Sequence, residues 1–341
     1  MDLKNTSLIF IISCVIYLMS SCTQTCNCKD LSSNDGIYYQ SETKAPYTGA
    51  CESEIYGIKK IQYFKDGKLT GQLKSFDQKD NLISSTTYKS GQRDGWSISY
   101  FSNGNKEKES KYVDDKKEGL SSSWYETGEI KTKGEYKNGE RHGTHKEWYK
   151  SQQIKRENNY FEGVKHGEWT TWYESGDTKM KGKYENGKKV GKWLVWHDKG
   201  GIIEQQNYKN GLRDGEWIVW FEKGQLSSKG SYKKGMKEGE WDAWYENGNK
   251  KSEMNYVADN LNGAFAKWFE NGNKSEVGAF VNNLKAGRCT TFYSNGTKES
   301  FSNYVNGQLD GRAVLWLPSG SKEVETYSKG KPVKTGEDPV F

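Results

Sequence analysis

The sequence is poor in the residues from which large globular cores and catalytic centres are built. Hydrophobic residues make up only 33% of its 341 residues, charged residues make up 28%, and there are four prolines and four histidines. Such a composition does not predict one large apolar core, so the aromatic residues, 14% of the chain, must provide most of the burial. The excess of basic over acidic residues, 51 against 45, is small and interleaved. We therefore expect no nucleic-acid partner, because that would require a basic patch.

Motifs for catalysis and for cofactor binding are missing as well. The sequence has no glycine-rich phosphate loop after a strand, no Cys-x-x-Cys pair and no His-Glu-x-x-His. His142 and His166 occupy equivalent positions of adjacent repeats, about 10 Å apart by the spacing of strands, which is too far to share a metal ion. His145 and His197 stand where other repeats have aromatic residues. The sequence thus predicts no enzyme, no catalytic residue, no metal site and no cofactor, since a repeated pattern of carboxylates lacks the unique cluster of an active site.

Long apolar runs are absent except for one near the start of the chain. Residues 8–19 form a 12-residue apolar run, which is too short for a membrane-spanning helix and typical of a signal-peptide core. Residues 19–22 then read Met-Ser-Ser-Cys, which resembles the lipobox of bacterial lipoproteins. The resemblance implies cleavage before Cys22, lipidation of Cys22, and a lipid anchor in the bacterial cell envelope, on the periplasmic or surface face of the outer membrane. A plain cleaved secretory signal is the alternative.

Cysteine is scarce after this segment. Cys26 and Cys28 lie in a polar stretch, and in an oxidising envelope they can pair with each other or with Cys51. Cys289 takes a repeat position that Trp241 holds in another unit, so we expect it to be a small buried hydrophobic residue.

The dominant feature of the sequence is a 24-residue repeat. Glycines recur at this spacing from Gly95 to Gly311, and an aromatic residue follows each of these key glycines after five residues. A fixed period this short indicates a repeat architecture, in which each unit contacts mainly its neighbours. We divide the chain into a signal peptide (residues 1–21), a polar tether (22–35), irregular repeats (36–94), regular repeats (95–327) and a C-terminal tail (328–341).

Turn residues predict that each unit is a β-hairpin. In the unit that begins at Gly239, the pair Asn247-Gly248 favours a two-residue type I′ turn, which needs positive φ at both central residues. Such a turn would place Tyr245 opposite Lys250.

Side-chain alternation then separates the two faces of each hairpin. Trp241 lies on the face that we expect to be buried, and Trp244 lies on a charged face that we expect to be exposed. The Trp244 slot, five residues after the key glycine, holds tryptophan in seven consecutive units and predicts a row of binding residues. These are Trp124, Trp148, Trp172, Trp196, Trp220, Trp244 and Trp268.

A longer period of 48 residues is superimposed on the first. Fifteen residues after the key glycine, alternate units have a second glycine, at Gly134, Gly182, Gly230 and Gly278. The hairpin register places Gly182 opposite Trp169 and Gly230 opposite Trp217. We expect a large ring to cover each such glycine, a pairing that compensates for a weak strand position.

The repeats resemble a known family. Residues 36–39 read GIYY, residues 46–49 read PYTG and residues 63–67 read YFKDG, while later units follow Gly-x-Trp-x-x-Trp-Tyr-x-x-Gly, then Lys, then Gly-x-Tyr-x-x-Gly. Over residues 36–327 the chain is similar to MORN-variant repeat proteins, many of which are called antitoxin-like. The resemblance implies an all-β fold, an elongated and twisted antiparallel β-meander of tandem hairpins, which is used for binding and has no catalytic residues.

Three functions remain open from the sequence. The first is a lipid-anchored scaffold that presents its repeated surface to an unknown envelope protein. The second is a binder of glycan or another envelope polymer, with sugar rings stacked on the tryptophan row. The third, an antitoxin-like component, follows from the family label alone, and the export signal opposes it because an exported lipoprotein cannot neutralise a cytoplasmic toxin.

Overall fold

The structure is a computed structural model that describes residues 26–333. The chain forms two compact units, one that ends at Gly104 and one that begins at Asn105. Cys22 and the apolar run of residues 8–19 lie outside the described residues. Within the described part, no helix has the length and apolar character needed to cross a membrane.

The first unit is a small β-meander with an added N-terminal segment. It contains a 3₁₀ helix, Cys28–Asp30, and the strands β1 (Cys26–Asn27), β2 (Leu31–Asn34), β3 (Ile37–Gln40), β4 (Gly49–Ile55), β5 (Ile58–Lys65), β6 (Lys68–Phe76), β7 (Leu82–Lys89) and β8 (Gln92–Tyr100). Strands β4 to β8 pair antiparallel in chain order, β2 pairs with β3, and β1 adds to β4 in parallel. Part of the expected tether is therefore paired strand.

A disulfide joins this N-terminal segment to the meander. Of the pairings that the sequence left open, the structure shows Cys28 bonded to Cys51. Cys51 is completely buried, and Cys26 lies next to it in the parallel register with a free thiol.

The second unit is a longer meander of the same kind. Its strands are β9 (Lys106–Val113), β10 (Lys116–Trp124), β11 (Ile130–Lys137), β12 (Glu140–Trp148), β13 (Ile154–Phe161), β14 (Val164–Trp172), β15 (Thr178–Glu185), β16 (Lys188–Trp196), β17 (Ile202–Lys209), β18 (Leu212–Trp220), β19 (Leu226–Lys233), β20 (Met236–Trp244), β21 (Lys250–Val257), β22 (Asn260–Leu261), β23 (Gly263–Trp268), β24 (Lys274–Val281), β25 (Leu284–Phe292), β26 (Lys298–Val305), β27 (Gln308–Leu309), β28 (Gly311–Trp316), β29 (Lys322–Ser328) and β30 (Lys331–Pro332). Each hairpin pairs antiparallel with the next. The predicted all-β fold of tandem hairpins is confirmed.

The turn at Asn247-Gly248 is not the two-residue type I′ turn that the sequence predicts. Only Gly248 has a positive φ, the Gly248 N–H donates to the Tyr245 carbonyl, and the Tyr245 N–H donates to the Asn249 carbonyl. This is a three-residue loop with a glycine bulge, so Lys250 lies opposite Trp244 and the predicted Tyr245–Lys250 pair is wrong.

Two-residue turns instead join consecutive hairpins. Asn138-Gly139 and Asn210-Gly211 have positive φ at both residues, as type I′ turns require. In a meander these two-residue turns all lie at one end of the strands, and the three-residue loops lie at the other end; we call these two borders of the sheet its two edges.

The key glycines recur because each forms a bulge. In the second unit their φ angles lie between +63° and +112°, a region that other L-residues rarely adopt. At Gly239, residues 239–241 of β20 lie opposite the single residue Gly230 of β19, which changes the side-chain alternation there. The 24-residue period of glycine is therefore a backbone requirement.

The buried face is a row of aromatic rings, as predicted for Trp241. Trp193 is only 3% exposed, and its ring meets the Tyr184 ring edge-on at a centroid distance of 5.1 Å. The Lys189 Nζ lies 4.3 Å from the Trp193 ring centroid and 4.8 Å from the Tyr208 ring centroid. Alternating rings and lysine stems thus replace the apolar core that the composition excludes.

The 48-residue period follows from this packing. Gly182 lies opposite Trp169, as predicted, but the ring that covers it belongs to the next strand: a Cβ at Gly182 would lie 2.1 Å from Trp193 Cδ2. Trp241 covers Gly230 in the same way. Cys289 takes the corresponding position beside Gly278 and is buried, which confirms its predicted role.

Candidate interaction surfaces

The seven tryptophans proposed for binding occupy the same position in successive hairpins of the second unit. They are Trp124, Trp148, Trp172, Trp196, Trp220, Trp244 and Trp268, and each is half-buried. Lysines lie over the first and last of these rings, with the Lys106 Nζ 5.7 Å from the Trp124 centroid and the Lys250 Nζ 5.6 Å from the Trp268 centroid. The row is therefore neither a closed core nor an open stacking platform.

The backbone of these tryptophans has a structural role that the sequence did not reveal. The Tyr173 hydroxyl donates to the Trp196 carbonyl of the next hairpin at 2.8 Å. Four further tyrosines, each in the equivalent position, make the same bond at 2.7 to 3.0 Å: Tyr125, Tyr149, Tyr245 and Tyr293. The signal was present as a tyrosine directly after four of the seven tryptophans. These bonds connect successive hairpins beyond their strand pairing.

The edge with the two-residue turns carries exposed apolar side chains. They flank the turns, lie 18 or 21 residues after a key glycine, and are between 41% and 55% exposed. The residues are Val113, Phe161, Val164, Leu212, Met236, Val257, Val281, Leu284 and Val305, which we call the apolar edge. The sequence analysis missed the apolar edge because it considered the faces of the strands and not the residues beside the turns, although these residues recur with the same 24-residue period. Apolar side chains in a repeated exposed row are typical of an interaction surface.

Backbone hydrogen bonds hold the turns of this edge in register. The Gly187 N–H donates to the Lys165 carbonyl at 2.8 Å, and the Gly211 N–H donates to the Lys189 carbonyl at 2.9 Å. Acidic side chains just before the key glycines add bonds to turn N–H groups, as from Ala258 to Glu238 Oε2 at 3.0 Å. The apolar edge is thus mounted on a defined backbone.

One trio of carboxylates in the described residues approaches the geometry of a metal site. Ligand atoms of Glu240, Asp242 and Glu253 lie within 4.8 Å of one another, and repulsion from Asp242 raises the pKa of Glu240. However, the Lys250 Nζ lies 2.9 Å from Asp242 and 2.7 Å from Glu253. A lysine therefore already provides the neutralising charge.

The histidines are in the environments expected of packing residues. The Phe161 ring contacts the rings of both His142 and His166, at centroid distances of 5.5 and 6.3 Å. His197 lies within 3.1 Å of Glu222, and His145 lies on the buried face between two tyrosines.

Comparison with known proteins identifies the repeat. The family model described as "MORN repeat variant" matches residues 117–138, 165–186, 189–210, 213–234 and 237–258. No curated protein matches the chain. Among solved structures, "Crystal Structure of TcdB2-TccC3-Cdc42" is similar at 10% identity with a TM-score of 0.16, over 83% of this chain and 19% of that one. This chain thus spans about a fifth of that structure's chain, and a similarity at this level carries no argument about fold or function.

Proposed function

We propose that this chain, which is a MORN-repeat-variant protein, is a non-catalytic interaction scaffold that a lipid on Cys22 anchors in the bacterial cell envelope. Repeats of this family are generally modules that interact with proteins or membranes, and the family is non-enzymatic. The proposal adds that the membrane is reached through the anchor and that the repeats bind an envelope protein.

The apolar edge is the observation that carries the proposal. Its side chains occupy one or both of the two flanking positions at seven turns, and the turns at residues 138–139 and 186–187 carry charged residues instead. Because consecutive strands lie about 4.8 Å apart, equivalent positions follow one another about every 10 Å. A partner with a matching series of apolar residues would bury them without disturbing the aromatic row. Repeat proteins commonly bind through such extended surfaces.

A glycan function is the second candidate, because the tryptophan rings retain part of their exposure. Its support is weaker, since sugar stacking requires an uncovered ring face and lysine stems lie over Trp124 and Trp268. The antitoxin-like role has no support beyond the family label.

The test compares a variant of the apolar edge with a control variant of the opposite edge. A triple variant with Leu212→Gln, Val257→Gln and Val281→Gln should keep the melting temperature of the parent, because all three side chains are about half exposed. It should lose co-purification with the envelope partner that a tagged parent captures after crosslinking in cells. The matched control alters three exposed residues of the opposite edge: Lys199→Gln, Lys223→Gln and Glu246→Gln.

The anchor is tested independently. Cys22→Ser should move the protein from the membrane fraction to the soluble envelope fraction. Retention in membranes with the signal segment still attached would contradict lipidation.

A further inference from the structure

The aromatic row of the buried face is interrupted near its start. The slot two residues after the key glycine holds tryptophan in four successive hairpins, from Trp169 to Trp241, but Ser121 and His145 occupy it in the two hairpins before them. The imidazole is smaller than the indole that it replaces, and a cavity of about 300 Å³ lies beside it. This volume is at the lower end of the range for small-molecule sites, about 300 to 1,000 Å³.

His145 otherwise packs as the tryptophans do. Its ring lies on Gly134, where a Cβ would come within 2.1 Å of Nδ1, just as Trp193 lies on Gly182. Its Nε2 donates to the Glu135 carbonyl at 2.7 Å, and burial lowers the pKa of His145. The cavity therefore follows from two smaller residues, Ser121 and His145, in a slot that holds tryptophan in later hairpins, within an unchanged backbone pattern.

The lining of this cavity is polar and positively charged. Its charged side chains on this face of the sheet are Arg141, Arg156 and one carboxylate, Glu147, whereas Lys133 and Lys146 follow strand alternation onto the opposite face. Arg156 is paired with Glu147, and Lys146 is paired with Glu157 at 3.0 Å. Within residues 26–333, Arg141 has no ion-pair partner, which leaves one uncompensated cation at the cavity.

Arg141 is held in a fixed position. Its guanidinium donates to the Tyr160 hydroxyl at 2.9 Å and lies 5.2 Å from the centroid of the Tyr160 ring. A guanidinium held in this way retains donors for a planar carboxylate, to which it can bind with two parallel bonds.

Asn158 supplies an acceptor that nothing in the described chain satisfies. The residue is only 4% exposed, it lines the cavity, and its Oδ1 has no hydrogen-bond partner there. A buried acceptor without a partner costs free energy, so it favours a bound molecule that brings a donor.

We propose that this cavity binds a hydroxylated organic acid of about the size of one hexuronic acid residue. The carboxylate binds Arg141, a hydroxyl donates to Asn158 Oδ1, and the rings of Tyr136 and Tyr160 flank the apolar ring face. A simple anion has no hydroxyl donor for Asn158, and a neutral sugar leaves Arg141 unpaired. The site goes beyond the scaffold function and lies apart from the predicted tryptophan row.

The experiment is calorimetric titration of the full chain with glucuronate, glucose and acetate. We expect glucuronate to bind at least tenfold more tightly than glucose or acetate. His145→Trp, which places the residue of four other hairpins in the slot, should narrow the cavity, block glucuronate binding and leave the chain folded. A parallel titration with a tetrasaccharide that ends in glucuronate distinguishes a polymer end from a free acid.

A second pair of variants does not depend on the packing of the slot. Arg141→Gln should weaken glucuronate binding at least tenfold. Arg213→Gln is the matched control, because Arg213 makes the equivalent bond to the Tyr232 hydroxyl, at 3.3 Å, beside a slot that Trp217 occupies. Absence of glucuronate binding to the parent, equal binding of acetate or glucose, unchanged binding to His145→Trp, or equal losses in the two arginine variants would each overturn the proposal.

Discussion

Two glycines on neighbouring strands should respond to alanine for different reasons. Gly182→Ala places a Cβ 2.1 Å from Cδ2 of Trp193, so the indole must leave its position over the strand. Trp193 is 3% exposed, and truncation of such a ring costs about 3–5 kcal/mol, which sets the upper limit for the displacement. Gly191→Ala meets no atom within 4 Å, but its φ is +63°, so it should cost only about 1–2 kcal/mol.

A double-mutant cycle tests whether the Gly182 effect acts through the ring. The free energies of unfolding of Gly182→Ala, Trp193→Ala and the double variant are measured by denaturant titration with circular dichroism. Once the ring is absent, the added methyl group meets no clash, so the double variant should cost little more than Trp193→Ala alone. Additive losses, or a Gly182→Ala cost below about 1 kcal/mol, would refute the packing account. Trp193→Ala combined with Gly191→Ala is the control, for which we expect additivity.

Further predictions concern hydrogen bonds, turns, charge and the disulfide. Tyr173→Phe removes the bond to the Trp196 carbonyl and should lower the free energy of unfolding by about 1 kcal/mol, whereas Phe221→Tyr, at the equivalent position two hairpins later, should not lower it. Ala258 has a φ of +47° in a two-residue turn, so Ala258→Asn should raise the melting temperature through a gain of about 1 kcal/mol. The pKa of Glu276 is lowered: burial acts to raise it, but hydrogen bonds from Lys267 and Lys285 outweigh burial. The carboxylate therefore stabilises the fold at pH values above its unfolded pKa, and this stabilisation is lost as pH falls through the folded pKa. Glu276→Gln should reduce the dependence of stability on acid pH. Cys51→Ser removes a crosslink between residues 23 apart and should destabilise the first unit by about 3 kcal/mol in denaturant titrations, with reduced parent protein as the comparison.

Much of the fold follows from local rules that act on each unit separately. The spacing of glycine and aromatic residues determined the hairpins, and alternation correctly assigned Trp241 to the buried face. The turn at Asn247-Gly248 was wrong because this pair also suits the last two positions of a three-residue loop, and the choice depends on the hydrogen bond between Tyr245 and Asn249. The ring over Gly182 was assigned to the wrong strand because strand register identifies the residue opposite Gly182 but does not give the orientation of the indole ring on the neighbouring strand.

The candidate surfaces were less accessible from sequence for the same physical reason. Leu212 and Val281 are exposed because they flank two-residue turns. Their exposure could be predicted only if each turn of the repeat were correctly assigned as a two-residue turn or a three-residue loop. The cavity beside His145 depends on the small size of both Ser121 and His145 in a slot that holds tryptophan in later hairpins. Repetition made the regular features predictable, whereas departures from the repeat, such as Ser121 and His145, follow no periodic rule.

Site-specific photocrosslinking in cells tests the scaffold account most directly. A photoreactive phenylalanine analogue is placed at Leu212 of the apolar edge or, as the control, at Lys223 of the opposite edge. The account predicts a discrete adduct with one envelope protein from position 212, lost in a variant that carries Val257→Gln and Val281→Gln, and no such adduct from position 223. Equal labelling at both positions, or no adduct at position 212, would contradict the apolar edge as the binding surface.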